Sequence, residues 1–250
     1  DDRSWPEGTR RISQLRLTLE YEPHGLIARN FGSGKLHVDI VDYPGEWLLD
    51  LPLMNLTYRQ WSDSTIDASR VEPRATLARG WHAHLATLDA ESAAIELNAV
   101  KAAEHFTAYL AKCREDDVAL SSLLPGRFLM PGDFAGSPLL TFAPLFAKSH
   151  DAFPKGSLGD LMERRYDSYV SKMVRPFFFS HFARLDRQIV LVDILQALNA
   201  GPAAVQDLKS ALTQVLACFR LGANSLFSTR LGRRLALILF ASTKADLQHQ

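Results

Sequence analysis

The chain has 250 residues, 47% hydrophobic, 22% charged and 10% aromatic, a composition that excludes a disordered or collagen-like polymer. Lys plus Arg and Asp plus Glu balance at 28 each, giving a formal net charge of zero. No general basic field therefore draws nucleic acid or an anionic membrane, so no nucleic-acid partner is expected, while a peripheral membrane contact stays open.

The two cysteines, Cys113 and Cys218, match no metal-ligand or redox spacing, which predicts a reducing, cytoplasmic setting. The longest apolar run, 235–241, is far short of the ~20 residues that cross a bilayer. A start at Asp1 and a polar end directly after an apolar stretch predict a fragment cut at both ends.

Along the chain, Leu15, Leu17, Leu19 and Tyr21 alternate with Arg16, Thr18 and Glu20, the period of a half-buried strand. Pro23, Gly25, Gly32 and Gly34 punctuate the next stretch, and 35–42 returns to β character, so the two strands are expected to form an antiparallel hairpin. Ala93, Leu97, Val100, Ala103 and Leu110 recur at helical spacing. Seven Pro and Gly residues between 125 and 144 predict an ordered, packed loop. Residues 157–174 read as a helix started by Ser157 and Asp160 and closed by Pro176 and the aromatic run Phe177, Phe178 and Phe179, which is expected in the core.

The run 188–195 has the continuous apolar character of a strand covered on both faces. Pro202 then suits the first turn of a helix with the stripe Val205, Leu208, Leu212, Val215 and Phe219, ended by Gly222. A buried strand at 235–241 follows. This order predicts an open, mostly parallel α/β sheet with one antiparallel edge strand. Residues 1–50 and 181–250 would make the two parts of its core, with 51–180 as a mostly helical insertion.

In such a sheet ligands sit beyond the carboxyl ends of parallel strands. After the strand 36–41 comes Asp42-Tyr43-Pro44-Gly45: a carboxylate able to reach a water of a Mg²⁺ shell, then a glycine whose N–H can approach a γ-phosphate. A Pro and Gly turn is a sufficient structural account of these residues taken alone. After the last strand comes Thr243-Lys244-Ala245-Asp246, where a carboxylate can accept from the N1–H and N2–H₂ edge of guanine while the Lys stem lies along the base. The alternative there is an ordinary helix start. The two motifs in this order, each after a buried strand, match the arrangement of a P-loop GTPase. Glu46, directly after the glycine, stands where many GTPases carry the glutamine that orients the attacking water; a first-turn carboxylate favoured by the dipole is its other reading.

The stretch 41–53, the turns Pro125-Gly126-Arg127-Phe128 and Pro131-Gly132-Asp133, the run 187–193 with Asn199-Ala200-Gly201, and Thr243 to Asp246 together resemble the YcjX-like family of bacterial GTP-binding stress proteins. The resemblance runs from Trp5 to the last residues. It implies a GTPase fold with an added helical region, GTP/GDP binding, Mg²⁺, an unknown protein partner and a cytoplasmic stress-related role. A phosphate-binding loop should precede Trp5; Gly32-Ser33-Gly34-Lys35 imitates one but precedes a strand instead of opening a helix, and is assigned to the hairpin turn. Thr9 falls where the first switch should be, as a candidate Mg²⁺ ligand or γ-phosphate sensor or an ordinary loop threonine.

The strand feeding that loop would lie between the strand ending at Asp42 and the strand 189–192, with Asp42, Gly45 and Asp246 at one edge of the sheet. The expected function is a nucleotide switch or slow GTPase, with this chain alone inactive; the alternative is a non-catalytic scaffold that binds a partner through its helical insertion. Arg127 is conceivable as an arginine finger in cis, Asp193 as structural, and His82 and His84 as facing different ways along a helix.

Overall fold

The computed structural model describes residues 11–21, 34–115, 124–148, 152–181, 185–224 and 237–242. Four strands and seven α-helices fall among them. The strands are β1 (Ser13–Tyr21), β2 (Gly34–Asp42), β3 (Arg187–Val192) and β4 (Leu237–Ser242). β1 and β2 pair antiparallel, Ser13 opposite Asp42 and Tyr21 opposite Gly34, as the alternating pattern predicts. β3 and β4 pair parallel, Arg187 opposite Leu237 and Val192 opposite Ser242.

The molecule is thus mixed α/β, but its strands form two separate pairs among the described residues. The parallel part amounts to two strands instead of the expected wide sheet. Gln188 Nε2 donates to the Tyr43 hydroxyl at 2.7 Å, which places the end of β2 beside the start of β3. Asp246 lies outside the described residues, and with it the expectation of a shared edge.

The core lies in the helical region. Helices α1 (Tyr58–Ala68), α2 (Arg74–Leu85), α3 (Glu96–Glu115) and α4 (Leu158–Tyr169) surround it. Thr57 starts α1 with a capping box closed by Gln60, and Ser157 caps α4 by accepting from the Asp160 N–H. Trp61, Tyr58, Tyr166, Tyr169, Phe106 and Phe142 are among the largest fully buried side chains. The Pro- and Gly-rich stretch packs as expected, in short 3-10 turns that bury Phe128 and lead to the buried Phe142, Ala143 and Leu145.

The structure departs from the expected elements at three places, the helix from Ser157, β3 and the helix from Pro202. The helix begun at Ser157 does not close at Pro176. It runs on through a π turn, Val170–Val174, into α5 (Arg175–Ser180); Pro176 directly follows the π turn, where the hydrogen-bond ladder already departs from the i to i−4 pattern that a proline would interrupt. Phe177 and Phe178 are buried, whereas Phe179 is 60% exposed.

β3 stops at Val192 because Asp193 caps the short helix α6 (Ile194–Ala200), taking a hydrogen bond from the Gln196 N–H at 3.0 Å. Nor is β3 covered on both faces, since Ile189 and Leu191 are 64% and 69% exposed.

Helix α7 (Pro202–Asn224) begins at Pro202 but passes Gly222. Ala204, Ala211, Val215 and Cys218 are its buried residues; Val215 lies where expected, whereas Leu208 and Leu212 are only partly buried and Val205 is exposed. Small side chains let α7 approach closely, and Arg74 of α2 meets its Asp207 at 2.7 Å.

Candidate functional site

β2 delivers the chain to Asp42, which is exposed at the strand's end, and Tyr43 turns inward to meet Phe177 edge-on at 5.4 Å. Buried Pro44 starts a 3-10 segment, Gly45–Asn55, by accepting from the Trp47 N–H at 3.1 Å. Gly45 is exposed, and a Cβ built there meets nothing within 4 Å of the described structure. Packing therefore does not demand a glycine at this position.

The next residues are pinned to the helical region one after another. Arg114, near the end of α3, donates from Nη2 to Glu46 Oε1 at 2.8 Å. Trp47 Nε1 donates to the Met130 carbonyl at 2.9 Å. Asp50, 1% exposed, accepts from the Gly126 N–H at 2.7 Å and from the Tyr169 hydroxyl at 2.6 Å. The Tyr166 hydroxyl reaches the carbonyls of Leu53 and Leu56 at 3.1 and 2.9 Å. The continuous helix from α4 to α5 thus follows the segment from end to end: Phe177 against Tyr43 and Trp47, Tyr169 on Asp50, Tyr166 on Leu53 and Leu56.

Arg127 is no arginine finger here. Its side chain is 3% exposed, lies over the Trp47 ring at 4.0 Å, and brings Nε to 3.5 Å from Asp50 Oδ2. That Nε has no hydrogen-bond partner, so the Asp50 contact is Coulombic with aromatic stacking beside it. Burial raises the Asp50 carboxyl to about 6 despite the opposing help of Tyr169, Arg127 and the Gly126 N–H. Burial likewise lowers the Arg127 pKa, with Asp50 resisting. Gly126 is required by close approach, because a Cβ there would stand 2.0 Å from the Glu46 carbonyl oxygen.

Of the sequence-predicted site residues, Asp42, Gly45 and Glu46 lie together at the end of β2. Thr9, Thr243, Lys244 and Asp246 lie outside the described residues; β4 ends at Ser242, directly before Thr243. Asp193 is structural, as the cap of α6. His82 pairs with Ser69 at 2.7 Å, while His84 stacks on His105 with centroids 4.1 Å apart. Among the described residues no group of three or more His, Cys, Asp or Glu is placed to hold a metal ion. No described helix is long and apolar enough to cross a membrane.

Sequence reasoning missed Asp50, Tyr169 and Arg114. A lone carboxylate inside Trp47-Leu48-Leu49-Asp50-Leu51-Pro52-Leu53 is a signal for Asp50, since a buried charge needs partners. No comparable signal marks Arg114, whose partner is 68 positions away.

Comparison with known proteins accords with these motifs. The chain is 37% identical over 253 residues to a protein of Shewanella oneidensis named Ras-like GTPase YcjX, an alignment covering 97% of this chain and 51% of the relative. It is 38% identical over 253 residues to the Escherichia coli protein of the same name, covering 98% of this chain and 54% of the relative. The chain spans about half the length of these curated relatives. The model of the YcjX-like family, DUF463, matches residues 1–250, and the chain belongs to that family.

Proposed function

We propose that this chain is part of a guanine-nucleotide-binding protein, a slow GTPase or nucleotide switch with a core of the P-loop type. The observation that carries the reading is the turn at the end of β2. There a glycine that packing does not require follows an exposed carboxylate, and Glu46, Trp47 and Asp50 just beyond it are each hydrogen-bonded to the helical region. The names of the relatives support the same reading.

In this reading the Gly45 N–H meets the γ-phosphate and Glu46 orients the attacking water. Asp42, an exposed residue at the end of β2, carries oxygens of the hard type that suits Mg²⁺ through its water shell, and Thr9 a hydroxyl. Mg²⁺ would supply charge neutralisation for the phosphates. Asp246 accepts from the guanine edge, with Thr243 and Lys244 shaping the base site. The cytoplasmic, stress-related role implied by the family resemblance belongs to the same proposal. A second reading, a non-catalytic scaffold, draws on the helical region's own aromatic core, whose buried members include none from the four strands.

Titrating the full-length protein with GTP, GDP and ATP in Mg²⁺ buffer tests the first reading. Guanine nucleotides should bind selectively, and Asp246→Asn should weaken GTP in favour of xanthosine triphosphate, since charge-assisted hydrogen bonds contribute roughly 1.5–3 kcal/mol each. Equal affinity for ATP and GTP would overturn it. Guanine selectivity with no turnover above blank would favour the scaffold.

A further inference from the structure

We infer that Arg114 is a specificity-determining residue, the built-in counter-ion that lets Glu46 stand beside a γ-phosphate; this rests on the guanine-nucleotide reading above. Glu46 directly follows Gly45, so its carboxylate lies within one residue of the backbone proposed to meet that phosphate. An uncompensated carboxylate there would repel the terminal phosphate of GTP and leave GDP, which ends one phosphate earlier, largely untouched. The structure provides the compensation from a distant element: the Arg114 guanidinium donates to Glu46 Oε1 at 2.8 Å.

The pair is only partly open to water, with side-chain exposures of 43% for Arg114 and 28% for Glu46, so its field is incompletely screened. The backbone carrying Glu46 is also held. The Glu46 carbonyl abuts Gly126, the next residue's indole is tied to Met130, and Asp50 anchors the far side of the turn. The carboxylate therefore cannot simply swing away from the turn with its chain. Arg127, the arginine that sequence inspection singles out, is walled in by Trp47, Phe177 and Asp50. Arg114 occupies the end of α3 instead, where its head reaches the turn.

The test measures affinities of the full-length protein for GDP and for a non-hydrolysable GTP analogue. Arg114→Ala should weaken the analogue by about two- to fivefold, the scale of a partly exposed charge pair, and leave GDP affinity and the melting temperature unchanged. Arg114→Lys should restore most of the loss. In a Glu46→Gln background, with no carboxylate to compensate, Arg114→Ala should have no effect on the analogue. Loss of GDP and analogue binding together, or an equal loss from Arg114→Ala with and without Glu46→Gln, would overturn the role of Arg114 while leaving guanine-nucleotide binding intact. Absence of selective guanine-nucleotide binding in the unaltered protein would overturn both.

Discussion

The helical region and the strand pairs solve the problem of apolar surface in opposite ways. In the helical region Trp61 is fully buried, with Phe106, Phe142 and Tyr166 within 5.3–5.8 Å between ring centroids. On the β1 and β2 pair, by contrast, Leu15, Leu19, Leu36 and Ile40 are all about half exposed, and β3 shows its leucine and isoleucine in the same way. Good strand-forming sequence sets pairing and register, but two strands cannot cover their own faces. Aromatic residues converging from several helices can.

This difference should appear first in the response to core truncation. Trp61→Ala is expected to destabilise the full-length protein by about 3–5 kcal/mol, as removal of a buried aromatic usually does; urea titration followed by fluorescence measures it. A loss below about 1 kcal/mol would mean that the helical core is not the stabilising centre.

Asp50 sharpens the contrast through pH. Its folded pKa, about 6, lies above the ordinary carboxylate value of 3.8. The folded state therefore holds the proton more tightly, and the associated stability is full below about pH 4 and lost as pH rises through about 6. Thermal melts between pH 5 and 8 should show the parent gaining stability relative to Asp50→Asn on acidification. A constant difference, or one of opposite sign, would show that the carboxylate stays ionised in this range.

The smallest effect belongs to the strands. Lys35 and Glu20 form an ion pair at 2.8 Å with both side chains mostly in water, so Lys35→Ala should leave the melting temperature within experimental error. A clear drop would mean that the hairpin is held more like the helical core than its exposure suggests.

What could be read from the sequence follows the range of the forces involved. The hairpin pairing of β1 with β2, the Ser157 cap of α4 and Pro202 at the start of α7 are local devices that the structure uses as written, whereas the alternation in β1, the mark of a half-buried strand, leaves both of its faces exposed. Asp193 shows the limit, because an apolar run that reads as one strand is divided by a single capping carboxylate. Pro176 shows another, since a π turn just ahead lets the helix continue past a residue that usually ends one. At the candidate site the Asp42, Pro44 and Gly45 turn was legible. The Asp50 contact with Gly126, 76 positions away, was not, because only the folded chain brings them together.

The uninterrupted helix from α4 through α5 has a mechanical consequence. It is roughly 35 Å long at the usual rise per residue, and it grips the Tyr43–Leu56 stretch along one part of its length. For a stiff rod of that length, a tilt of about 5° at one end displaces the other by about 3 Å. A rearrangement where β2 ends that tilted this helix as one body would therefore be felt most at its Leu158 end, which is hydrogen-bonded to Ser92 ahead of α3.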